Sequence, residues 1–212
     1  MRAWILAAAC VLAACSAEAP SSAPQTNAEA AEQTDGPAAG LILSCEDFAS
    51  LTPATLRERF GAENVSVEAR NGAEGDTYEA TIVFANDPTN RMEIAWDTDG
   101  QRLATVSVVD AGTQWRGSEG YTIGTSLADV EQMNGGAFQL YGFGWNYGGW
   151  VSHWNRGVLA RANTCRAQMQ FTPRGREDVN AMGDREFSSD SAVMRAADPA
   201  ITSFGLVFPA QQ

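Results

Sequence analysis

Lysine is absent from this sequence, where all 14 basic residues are arginine and stand against 26 acids. Without lysine there is no Schiff-base or activated-amine nucleophile. A net charge of −12 also argues against nucleic acid as a partner, because phosphate binding needs a basic footprint. Histidine is almost as scarce, His153 being the single example. Zinc sites recruit several His or Cys ligands, so neither a metal centre nor another cofactor is expected. His153 lies in Trp150-Val151-Ser152-His153-Trp154, which alternates like a strand, and no G-x-S-x-G elbow accompanies it. A Ser-His-acid triad is formally open, but a structural or surface histidine is the simpler reading, and no catalytic residue is assigned.

Long apolar runs are lacking too, except at the start. Arg2 supplies a positive beginning, and Ala3 to Ala14 carry no charge and are nearly all apolar, so residues 1–14 read as an export signal. The run is too short to stay as a membrane-spanning helix. Leu12-Ala13-Ala14-Cys15 resembles the bacterial lipobox, whose cysteine is diacylated before the signal is removed; Cys10 has Ala7 where the lipobox has leucine. The resemblance implies lipidation at Cys15 and a chain held to a membrane without crossing it, each buried CH₂ adding roughly 0.8 kcal/mol. Ser16, where an Asp would signal retention, points by the same resemblance to the periplasmic side of the outer membrane, the inner membrane being the alternative.

Residues 15–40 form the expected tether. Ala, Ser, Pro, Glu and Gln dominate and no aromatic residue occurs, so the segment cannot bury enough apolar surface to offset its ordering entropy. Residues 41–212 are expected to be one domain, since about 170 residues suffice for an ordinary core. Two cysteines remain there, Cys45 and Cys165, in a compartment where thiols oxidise. A disulfide between them is the economical reading, and closing so long a loop is worth roughly 4 to 5 kcal/mol in the chain-entropy model.

Helix and strand signals recur in order. Thr52 can cap a helix, Pro53 fits its first position and Gly61 its stop, with Leu56 and Phe60 on one face. Strands follow: Tyr78, Ala80, Ile82 and Phe84 alternate, Met92, Ile94 and Trp96 share a face, and Asp97-Thr98-Asp99-Gly100 turns the chain into a strand from Arg102 to Val109. Ser126 caps a second helix, answered by Asp129 and closed at Asn134-Gly135. A strand-rich stretch from Phe138 to Trp154, a strand near Val158 to Arg161, and an alternating strand with Cys165, Ala167, Met169 and Phe171 on one side complete the pattern. A last helix over Ser191 to Ala197 and a strand from Ile201 to Phe208 are added at the end. The expected fold is α+β: two helix-then-antiparallel-meander units in one domain, with an extra C-terminal helix and strand.

Gly124-Thr125-Ser126-Leu127-Ala128-Asp129-Val130 through Asn134-Gly135, then Phe138 and Gly142 to Gly149, resembles a block found in uncharacterised bacterial envelope lipoproteins. The G-x-S-x-x-x-V helix start is also similar to that of SmpA/OmlA-like assembly lipoproteins and of beta-lactamase-inhibitor-like tandem repeats. The first resemblance implies no known activity; the second implies a helix pair or single helix packed on antiparallel sheet and a habit of binding proteins.

Tyr141-Gly142-Phe143-Gly144-Trp145-Asn146-Tyr147-Gly148-Gly149-Trp150 is the most unusual stretch. Its rings could form a platform for a glycan or an envelope protein, with Trp145, Tyr147 and Trp150 as the candidate binding residues. The plainer reading makes it a glycine-bent hairpin whose rings fill the core, with Trp145 or Tyr147 buried. Asp97-x-Asp99-Gly100 resembles the start of a calcium loop, but Val108 stands at the twelfth position. Glu46, Asp47, Glu58 and Glu63 are scattered, and Arg174 to Asp178 reads as a solvated loop. The preferred function is a non-enzymatic, lipid-anchored envelope protein that binds or scaffolds another envelope component; an aromatic-lined glycan or small-ligand module and a periplasmic hydrolase are the alternatives.

Overall fold

Hydroxyl caps start each α-helix among the described residues. Short α1 (Cys45–Phe48), just after strand β1 (Ile42–Leu43), begins where the Ser44 hydroxyl accepts from the Asp47 N–H. In α2 (Pro53–Phe60) Thr52 caps, Pro53 sits at the first position and Gly61 follows with φ 85°, as the sequence predicts, and Thr55 answers Thr52 reciprocally. The helix α3 (Leu127–Asn134) begins at Ser126, whose Oγ accepts from the Asp129 N–H at 3.1 Å and donates to its carboxylate at 2.6 Å, and ends at Gly135 with φ 77°. Ser191 caps α4 (Ala192–Ala197).

The computed structural model describes residues 41–71, 76–160, 164–175 and 179–209, all within the unit 37–212. The expected signal, Cys15 and the tether lie outside these residues, as do Arg161 and Arg176-Glu177-Asp178. The remaining strands are β2 (Val65–Asn71), β3 (Thr77–Val83), β4 (Met92–Trp96), β5 (Leu103–Val108), β6 (Arg116–Gly117), β7 (Gln139–Tyr141), β8 (Val151–His153), β9 (Arg166–Pro173), β10 (Glu186–Ser188) and β11 (Pro199–Val207). A six-stranded antiparallel sheet has the order β2-β3-β4-β5-β11-β9, a smaller one β10-β7-β8, and β1 pairs with β6 in parallel. The fold is therefore mixed helix and mostly antiparallel sheet.

The two halves of the chain use their strands differently. After α2, strands β2 to β5 run as a meander in sequence order. After α3, β7 and β8 join the small sheet while β9 enters the large one, so the expected second meander is divided between two sheets. Two links then tie the halves together. Strand β11 lies between β5 and β9, with Phe204 opposite both Val108 and Met169. A disulfide joins Cys45, at the start of α1, to Cys165, just before β9, with Cα atoms 5.6 Å apart.

Cross-strand register decides which face is core. Thr81 and Val83 lie opposite Ile94 and Met92, so these residues, with Val106 and Val108, face the helices. Phe48, Leu56, Leu127, Val130 and Met194 pack onto that face. The row Tyr78, Ala80, Ile82 looks the other way, yet Ala80 and Ile82 are also buried. Their cross-strand neighbours are Ser66, Glu68 and Glu93.

One expected strand is absent. Residues Val158–Ala160 form a turn of 3-10 helix, because the buried Asn134 side chain pins the chain there. Its amide donates to the carbonyls of Gly136 at 3.0 Å and Trp154 at 3.2 Å, and its oxygen accepts from the Leu159 N–H at 3.3 Å. Side-chain bonds of this kind offer the backbone an alternative to ladder pairing. Glu131 on α3 fixes α4 similarly, accepting from Ser189 Oγ at 2.5 Å and Arg195 Nη2 at 2.6 Å.

Candidate functional site: a glycine-aromatic face

The segment 142–150 loops out between β7 and β8, which pair Gln139 with His153 and Leu140 with Val151. Three neighbours hold its backbone. Gly142 N–H donates to Arg185 O at 2.9 Å, Phe143 N–H to Ala181 O at 2.8 Å, and Phe171 N–H on β9 to Gly149 O at 2.9 Å. Glycine is required at Gly149: φ is 74°, and a Cβ there would sit 1.9 Å from the Phe171 carbonyl oxygen. Gln170 adds a side-chain bond to Gly148 O at 2.9 Å, and Trp150 bridges to Gln170. The small sheet is thus docked on the edge of β9.

This docking separates the rings. Phe143 and Trp154 enter the core, while Trp145 and Trp150 are half-buried and Tyr147 is 53% exposed. The expected burial of Trp145 or Tyr147 in the core is not what the fold provides. The Trp145 indole donates to Gly142 O at 2.9 Å, which fixes its ring. Tyr141 and Tyr147 then meet that ring edge-on at 5.6 and 5.3 Å between centroids. In each T-shaped contact the edge of one ring meets the face of another, and of the three rings Tyr147 is the most exposed.

Two shallow grooves touch this ladder, one at Tyr147 and one at Trp145. One, of about 470 Å³, runs past Tyr147, Trp150, His153, Arg166 and Gln168. The other, of about 410 Å³, is bounded by Trp145, Gln170, Thr172, Pro173 and Met182. The walls combine ring faces with amides and one guanidinium, a mixture that suits stacking plus a few directional hydrogen bonds. Alternation along β9 sets Arg166, Gln168 and Gln170 on the side away from Met169 and Phe171, but nothing in the sequence signals that they flank the rings. Tyr141 was visible in the segment without being singled out.

Other candidates are placed elsewhere. His153 is an exposed side chain whose Nε2 lies 3.8 Å from Glu186 Oε1. The hydroxyl of neighbouring Ser152 is buried without a hydrogen-bond partner, so the two are not coupled. Asp97 is committed to its turn: its carboxylate accepts from Arg102 Nε at 2.8 Å and from the Gln101 and Arg102 N–H groups, and these bonds, led by the Arg102 guanidinium, hold its pKa below the usual range. Among the described residues no three His, Cys, Asp or Glu side chains gather as a metal site, and no helix is long and apolar enough to cross a membrane. Set against known proteins, the chain matches no family model, no curated protein and no solved structure, so the chemistry of this face is the guide to what it can bind.

Proposed function

We propose that this chain is a non-enzymatic, lipid-anchored envelope protein that binds another envelope component through the Tyr141-Trp145-Tyr147 face. The observation that carries the reading is the half-bare ring ladder, with Tyr147 53% exposed on a backbone pinned at Gly142 and Gly149. Holding rings in water has a solvation cost that a bound partner relieves, and rigid aromatic anchors lose little entropy on binding. The lipid anchor at Cys15 and the outer-membrane address rest on the lipobox resemblance and on Ser16. Cys15→Ala is expected to leave an unprocessed precursor, and normal maturation of that variant would remove the anchor from the account.

A glycan is the second reading within this function. Sugar C–H faces stack on aromatic rings, and Gln168, Gln170 and Arg166 stand beside the ladder to bond hydroxyls. Binding of the purified full chain to isolated peptidoglycan and to protein-containing envelope fractions separates the two. Binding to peptidoglycan that Tyr147→Ala abolishes supports the glycan; binding only to fractions with intact protein supports a protein partner. Wild-type levels of binding by Tyr147→Ala to every fraction would contradict the site.

A further inference from the structure

Strand β2 is an end strand of the six-stranded sheet, and among the described residues no strand or isolated bridge covers its outer side. Its hydrogen-bond phase can be read from one contact. Phe84 N–H donates to Asn64 O at 2.8 Å, and the β2–β3 register continues unbroken from Val65 opposite Val83 to Asn71 opposite Thr77. In an antiparallel ladder alternate residues exchange both bonds with the neighbour. Ser66, Glu68 and Arg70 therefore spend their backbone groups on β3, and Val65, Val67, Ala69 and Asn71 turn theirs outward. Val67, Ala69 and Asn71 are also the exposed residues of the strand.

The side chains add a charge pattern. Arg70 Nη1 lies 2.9 Å from Glu68 Oε2 and its Nε 3.1 Å from Glu93 Oε2, while its Nη2 is buried without a hydrogen-bond partner. Consider a second copy of β2 laid antiparallel against this edge about a two-fold axis. An axis through Ala69 places Ala69 opposite itself and Val67 opposite Asn71, all of them residues with outward backbone groups, so the ladder phase is satisfied. The same axis places Glu68 of each copy opposite Arg70 of the other. An axis through Val67 also satisfies the backbone, but it sets Ser66 opposite Glu68 and Arg70 opposite Asn64, so no opposite charges meet.

We propose that β2 is a self-association edge, pairing antiparallel with β2 of a second copy about a two-fold axis at Ala69. The two six-stranded sheets then continue into one another. Opposite charges directly across an antiparallel pair stabilise it, whereas like charges would oppose it, and an isologous contact of this kind closes as a dimer without leading to a filament. Charged residues on an edge commonly discourage pairing. Here their order, acid then base two residues on, is complementary to its own two-fold image.

Cysteine scanning tests both the pairing and its axis. In the full chain with Cys10→Ser and Cys15→Ser, Ala69→Cys is expected to give a disulfide-linked dimer on mild oxidation, several-fold more than Val67→Cys at the same concentration. Both positions are exposed, so neither variant should disturb the fold. Equal traces from the two positions, or preferential linkage at Val67, would overturn the proposal. Sedimentation of the same chain without the added cysteine provides the second readout: a dimer that Arg70→Glu converts to monomer supports the pairing, and a monomer at all concentrations rejects it. Loss of the dimer leaves the aromatic face unaltered, so failure here and failure of the binding reading are distinguishable.

Discussion

Phe138, Trp154 and Phe171 pack ring against ring inside the core, whereas Tyr141, Trp145 and Tyr147, from the same ring-rich stretch or close beside it, ladder along the surface. The buried set has the Phe138 centroid 4.9 Å from Trp154 and 5.9 Å from Phe171. The surface set is spaced almost identically, at 5.6 and 5.3 Å. Ring spacing therefore does not separate the two; backbone direction does. Strand β7 turns Leu140 inward and Gln139 and Tyr141 outward, and in the loop that follows, pinned to β9, Phe143 reaches the core while Trp145 and Tyr147 stay at the surface.

Removing a ring from each set should break this comparison most visibly. Phe138→Ala is expected to lose about 3 to 5 kcal/mol through lost burial and a cavity, read as an early thermal melt. Gly149→Ala attacks what separates the sets. A methyl against the Phe171 carbonyl at a positive φ should cost about 1 to 3 kcal/mol and, by lifting the small sheet off β9, should also weaken binding to envelope material. Asn134→Ala strips the Leu159 N–H and Trp154 carbonyl of their partner. Its expected loss is about 1 to 3 kcal/mol, measured by urea titration, with Trp154 fluorescence shifting first.

A smaller effect comes from acid. Asp87, held low first by the Thr89 hydroxyl, and Asp97, held low first by the Arg102 guanidinium, have folded pKa values below those of the unfolded chain. Their contribution is present at neutral pH and is lost as pH falls through their folded pKa values, below about 3.9. Asp97→Asn should flatten the acid limb of a stability profile without touching either ring set. An unchanged limb would place the acid sensitivity elsewhere.

Much of this was legible in the residues. Thr52, Pro53 and Gly61, or Ser126 and Gly135, mark helix ends because capping chemistry is local. The inward row Met169 and Phe171 and the outward row Gln168 and Gln170 follow from strict alternation, and the disulfide followed from counting cysteines. Three features depend on contacts far apart in sequence. Placing β11 between β5 and β9 needs the whole sheet, and Asn134 reaching Trp154 and Leu159 converts an apolar run into a turn. The fate of the rings in 141–150 depends on Phe171, Ala181 and Arg185, none of which the segment itself contains.

The claim that the surface rings form a binding face is tested most directly by Tyr147→Ala, followed in parallel by thermal melting and by binding to isolated envelope fractions. With the ring 53% exposed, stability should change by no more than about 0.5 kcal/mol while binding is lost. A variant that melts early, or one that melts normally and binds like the wild type, would contradict the account.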